Sequence, residues 1–178
     1  MWTSDSARKF FTVGRLWDVL ALLAIGFAIW KIFIAPRFLE TPRAHRAPAA
    51  VYDRLDGGAF RLAQQRGHLV FLDFYASWCE PCKLELPLVR GWASAHQGVM
   101  VVPVDVGEGR ATAADFARRY GLHDVALDPQ SNARALFSVE GFPTVVVVDS
   151  RGYVRAKWEG LNPAIGLAMD NAVRQVGP

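Results

Sequence analysis

The stretch "HLVFLDFYASWCEPCK", residues 68–83, restricts the possible folds more than any other part of the chain. A nearly continuous apolar run of strand length is followed, three residues later, by two cysteines with a proline between them. An apolar run this short reads as a strand buried on both faces, the pattern of a sheet covered by helices. Pro81 then fits the first turn of a helix, where its missing N–H costs nothing. A buried strand that feeds directly into a helix N-terminus points to an α/β architecture.

The remaining segments extend that pattern. "GAFRLAQQRG", residues 58–67, has helical apolar spacing and ends at a glycine. A helix is predicted from Cys79 to about His96, with Pro87 expected to kink it. A second strand follows in "VMVVPVDV", then a helix in "TAADFARRYG" closed by Gly121, and a short helix in "SNARALFSV". "TVVVVDSRGYVRAKWEG" reads as two strands joined at Ser150, Arg151 and Gly152, and "PAIGLAMDNAVRQV" as a last amphipathic helix with Pro163 at its start. The predicted fold is a central mixed β-sheet with helices on both faces.

With 178 residues, 52% of them hydrophobic, the chain has room for one packed domain and an appendage. Leu16 to Ala35 runs for twenty residues with only Asp18 and Lys31 charged, and Trp17 and Trp30 fall where interfacial aromatics belong. This segment is expected to be an uncleaved transmembrane helix. Basic residues flank it on both sides, Arg8, Lys9 and Arg15 before it and Lys31, Arg37, Arg43 and Arg46 after it, so the positive-inside rule does not orient it. Pro36, Pro42 and Pro48 mark a semi-rigid spacer. The expected organisation is therefore a cytoplasmic segment at 1–15, an anchor at 16–35, a proline-rich linker at 36–50 and a domain at 51–178. The net charge of +3 is scattered among acids, which excludes an electrostatic footprint for nucleic acid.

Cys79 and Cys82, the two cysteines of the chain, suit a structural staple, a metal site or a redox dithiol to different degrees. Closing so short a loop removes only ~2 kcal/mol of denatured-state entropy, against nearly 5 for a long loop. A closed metal site needs about four ligands, yet there is no second cysteine pair, and His45, His68, His96 and His123 show no ligand spacing. No metal is expected. The redox alternative fits the placement, because Cys79 falls in the first helical turn, where unpaired N–H groups and the helix dipole favour a thiolate. Cys82 lies one turn on, on the same face, and can resolve a mixed disulfide. A dipole contribution of up to ~2 kcal/mol brings a thiol from ~8.5 to about 7. Glu80 opposes that shift as a neighbouring anion, or serves simply as a favourable first-turn acid. Glu80 and Pro81 are thus the candidates for tuning the potential, and a thiolate only moderately stabilised implies a reductant.

Together with "EGFPTVVVVD", these residues resemble the thioredoxin superfamily. More narrowly, "WCEPCKLELP" and "VVPVDVGE" are similar to the membrane-anchored TlpA/ResA-like thiol-disulfide oxidoreductases, a likeness that covers roughly Gly58 to the C-terminus. The resemblance implies a thioredoxin-like fold with Pro143 as a cis proline facing the active-site disulfide. Phe142 and Thr144 would then offer backbone groups to an extended substrate segment, and Trp78 would cover the site. Two acids are candidates for handling the proton of Cys82. Asp73, inside the apolar strand, matches the buried acid of thioredoxins, where the subfamily usually has asparagine; its alternative is a strand-edge acid reaching water. Glu85 matches a glutamate typical of the subfamily; its alternative is an ordinary solvated helix acid.

The resemblance further implies a protein-disulfide reductase with a redox-active disulfide and no other cofactor. It would sit in the inner membrane by a single pass, with its domain in the periplasm or extracytoplasmic space. Electrons would come from a transmembrane thiol reductase and go to a protein disulfide, with the haem-attachment cysteines of apocytochrome c as the leading substrate. A general extracytoplasmic reductase is one alternative. The other is a copper-binding assembly factor, for which His123 is the candidate third ligand.

Overall fold

The computed structural model describes residues 17–28 and 44–176. Residues 1–39 and 40–178 form two compact units. Of the first, the exposed helical stretch 17–28 is described. The remainder of the expected anchor at 16–35 lies outside the described residues, within which no helix is long and apolar enough to cross a membrane.

The second unit is an eight-stranded mixed sheet with helices on both faces. In chain order it comprises β1 (His45–Arg46), β2 (Val51–Arg54), β3 (Ala59–Arg61), a 3-10 turn (Leu62–Gln65), β4 (Leu69–Tyr75), α1 (Glu80–Ala95) and β5 (Val99–Val106). There follow α2 (Arg110–Tyr120), β6 (Ala126–Asp128), α3 (Ala133–Phe137), β7 (Thr144–Val148), β8 (Tyr153–Glu159) and α4 (Ile165–Val176). The strand order is β1-β8-β7-β4-β5-β6-β2-β3. β4 runs parallel to β5 and antiparallel to β7, so the buried strand read from the sequence is central.

The two faces of β4 build two cores. Val70, Leu72 and Phe74 pack with Val102, Val104, Val146 and Phe137 on the side of α3, β2 and β3. Leu69 and Phe71 meet Val89 and Trp92 of α1 and Ile165 and Met169 of α4, while Tyr75 meets Phe116 of α2. The two successive parallel crossovers, β4-α1-β5 and β5-α2-β6, bring Leu86 of α1 and Ala113 and Phe116 of α2 into one core. Trp92 also braces α1 to α4: its indole N–H donates to Asp170 Oδ1 (2.7 Å), and its ring stacks on His96.

Several elements differ from the sequence-based expectation. The helix expected in 58–67 is β3 followed by one 3-10 turn. Phe60 and Leu62 are both buried, two residues apart, so the period that matters there is that of a strand. β2 and β6 are too short and too mixed in polarity to show in the pattern. The expected linker reaches into the sheet, since His45 and Arg46 pair with Val154 and Tyr153 and Ala50 is buried; residues 36–43 lie outside the described residues. α1 runs unbroken through Pro87.

The sheet has a clear polarity. The C-terminal end of β4, with Phe74 beside Thr144 and Thr144 beside Glu159, carries the cysteine loop. At the opposite end lie Val70, Val148 and Val154, and there β1 joins.

Candidate active site

β4 ends at Tyr75, and three residues of loop deliver Cys79 to the N-cap of α1, with extended backbone angles (φ −78°, ψ 103°). Its sulfur accepts the N–H of Cys82 (3.1 Å), one of the otherwise unpaired donors of the first turn. Cys79 and Cys82 form a disulfide with Cα atoms 5.3 Å apart. Cys79 is 4% exposed and Cys82 is fully buried, so Cys79 is the sulfur nearer solvent. Pro81 lies in the first turn. Glu80, exposed, is paired with Lys83 one turn on, so its charge has a surface partner.

The cis-proline loop stands beside the disulfide loop. The Phe142–Pro143 bond is cis, and the Phe142 ring meets the edge of Trp78 with centroids 5.8 Å apart. Trp78 is 67% exposed. The two aromatics border a groove of ≈ 470 Å³ that Gly107, Arg134, Val139 and Glu140 also line. Thr144, assigned to substrate binding, is buried with its hydroxyl donated to Gly141 O (2.7 Å), and Pro143 O accepts the Gly160 N–H. Of the three residues around the cis bond, Phe142 faces the groove.

Both candidate acids are buried. Asp73 is 1% exposed, neither of its oxygens meets a donor, and burial followed by the charge of Glu85 pushes its carboxyl up to about 8. Glu85 is 2% exposed, which rules out the solvated alternative. Its Oε2 accepts the backbone N–H of Asn162 (2.7 Å) just before α4, and burial outweighs that bond, raising the carboxyl to about 7. The two acids therefore interact across the interface of β4 and α1. Asp73 also borders a cavity of ≈ 250 Å³, lined by Leu86, Val89, Pro103 and the exposed Arg90 and His123. The candidate copper ligand His123 thus lies on this cavity and does not border the groove beside Trp78. Among the described residues, no three His, Cys, Asp or Glu side chains are grouped to hold a metal ion.

A second set of polar groups near the disulfide loop went unread in the sequence: Ser77, Glu108, Asp105 and Tyr75. Glu108 accepts both the N–H and the hydroxyl of Ser77 at 2.6 Å. Asp105 sits in an apolar strand just as Asp73 does, a signal that was available.

The AhpC/TSA family profile matches residues 44–157. The chain belongs to the AhpC/TSA family. Within it, the chain is 32% identical over 140 residues to thiol-disulfide oxidoreductase ResA of Geobacillus thermodenitrificans, covering 77% of this chain and 80% of the relative. It is 30% identical over 150 residues to ResA of Bacillus subtilis, covering 83% and 82%. A Chlorobium tepidum structure described as a thiol:disulfide interchange protein DsbE superposes with a TM-score of 0.71 at 27% identity, over 78% of this chain and 100% of that one. This AhpC/TSA-family protein has a thioredoxin-like fold and is a thiol-disulfide oxidoreductase.

Proposed function

We propose that the protein is a membrane-anchored, extracytoplasmic protein-disulfide reductase that uses the Cys79–Cys82 dithiol, with apocytochrome c as its leading substrate and a transmembrane thiol reductase as its electron donor. The observation that carries the reductive direction is the concentration of carboxylates around the start of α1. Glu80 is in its first turn, Glu108 grips the loop before it, and the buried Glu85 follows one turn beyond Cys82. The nearby cation Lys83 is engaged by Glu80. Acidic surroundings disfavour a thiolate, so the reduced form gains little and the couple gives up its electrons readily. The apolar run from Leu16 to Ala35 supports the anchor, and tethering a reductant is most useful where the surroundings are oxidising.

In the reaction so read, the Cys79 thiolate attacks one sulfur of the substrate disulfide, and the other sulfur leaves as a thiolate. Cys82 then gives up its proton and attacks Cys79 Sγ, releasing the second substrate thiolate and regenerating the Cys79–Cys82 disulfide. Two electrons pass from the dithiol to the substrate. In this reading the coupled acids, Glu85 one helical turn beyond Cys82 and Asp73 on β4, take the Cys82 proton. Trp78 and Phe142 receive the substrate segment along the groove.

A redox titration of the protein should give a potential near the ~ −270 mV of thioredoxin, and a value above about −180 mV, where disulfide isomerases lie, would overturn the reductive assignment. A Cys82→Ala variant should accumulate a mixed disulfide through Cys79, and identifying the captured protein names the substrate.

A further inference from the structure

We propose that Glu108 is a positioning residue for the redox loop, gripping Ser77 and so setting where the attacking sulfur of Cys79 stands. Ser77 lies two residues before Cys79, and Glu108 accepts both of its donors, the N–H at Oε2 and the hydroxyl at Oε1, each at 2.6 Å. Ala76 O, immediately before Ser77, accepts the Cys79 N–H (3.1 Å), and the Cys79 sulfur caps α1. A single carboxylate therefore fixes the start of a chain of contacts that ends on the attacking sulfur.

A second acid stands on the preceding strand. Asp105 is fully buried in β5, in register with Tyr75 of β4, and neither of its oxygens meets a donor; the Tyr75 hydroxyl is likewise buried and unpartnered. Its carboxyl feels the charge of Glu108. Burial, then the charge of Glu108 and the bond to it, raise Asp105 to about 7.

The other neighbours supply no counter-charge. β6 presents Leu127 in register with Asp105, α2 stacks Phe116 on Tyr75, and Asp73 two residues back on β4 is a further acid. Arg110, at the start of α2, spends its guanidinium on the carbonyls of Arg54 and Leu55. Among the described residues, no ion pair reaches Asp105 or Glu108. Among the described residues, the Glu108 carboxyl is thus held by Ser77 and by no cation.

The inference needs thiol-disulfide exchange alone and is independent of the substrate's identity, the direction of electron flow and the anchor. The test uses the full chain. By NMR, the Ser77 amide proton should lie far downfield in the wild type and move upfield in Glu108→Ala. Exchange of Cys79 with a small aromatic disulfide should fall by roughly tenfold in Glu108→Ala, short of the ~100-fold that a misplacement of about 1 Å can cost. Glu108→Gln, which keeps one acceptor for the Ser77 N–H, should recover part of that rate. A Ser77 amide proton that does not move in Glu108→Ala, or a wild-type exchange rate in that variant, would overturn the proposal. Should Glu108→Ala fail to fold, Glu108→Gln at less than the wild-type rate supports it and Glu108→Gln at the full rate overturns it.

Discussion

At the scale of single residues, the unusual property of this domain is that it buries acids where most proteins bury none. Asp73 and Glu85 ionise near 4 in an unfolded chain but are raised to about 8 and about 7 in the folded one. Between these values the native state binds more protons than the unfolded state, so stability falls as pH rises from about 4 to about 8. Asp73→Asn should remove much of that slope and stabilise the protein by a few kcal/mol at pH 8, as urea unfolding at pH 5 and pH 8 would show; a slope equal to wild type would contradict the assignment. In catalysis the order of importance should favour Glu85, whose carboxyl accepts the Asn162 N–H while Asp73 meets no donor, and which lies on the helix of Cys82. Single-turnover resolution at pH 7 should slow by about 10²-fold in Glu85→Gln and less in Asp73→Asn. Asp73 was legible in the sequence because an acid in an apolar strand stands out. The burial of Glu85 was not legible, since it depends on Asn162, 77 residues away, donating a backbone N–H.

At the scale of elements, α3 shows how a five-residue helix is held in place beside the groove. Asp128, at the end of β6, accepts the N–H groups of Asn132 and Ala133 (2.9 and 2.7 Å) and the Asn132 side chain, so a buried carboxylate answers the first donors of the helix. Asp128→Ala leaves those donors without a partner and should cost about 2–4 kcal/mol in urea unfolding. It should also raise the KM for a peptide disulfide more than it lowers kcat, because Arg134 of α3 lines the groove while the sulfurs lie on α1. The long elements were readable because each shows its period over many residues, as the exact match of "VMVVPVDV" to β5 illustrates. β2, β3 and β6 were not, because three or four residues cannot separate a period of two from one of 3.6, and long-range pairing alone makes them strands.

At the scale of the whole molecule, the domain begins earlier than its composition suggests. A chain starting at Val51 lacks β1, the buried Ala50 and the Ala50 carbonyl that accepts the Leu62 N–H (3.0 Å). Such a chain should be less stable by about 2 kcal/mol than one starting at residue 44, with a lower urea midpoint and an unchanged m-value. The prolines of 36–50 hid this boundary, since a spacer and an edge strand are both extended. The position of β1 also fixes where any upstream tether takes hold. β1 runs along Tyr153 and Val154, whereas the sulfurs sit past the other end of the sheet, roughly 20 Å away along seven-residue strands. A tether there would grip the domain by its heel, and a pull from upstream would load a two-residue ladder at the sheet edge first.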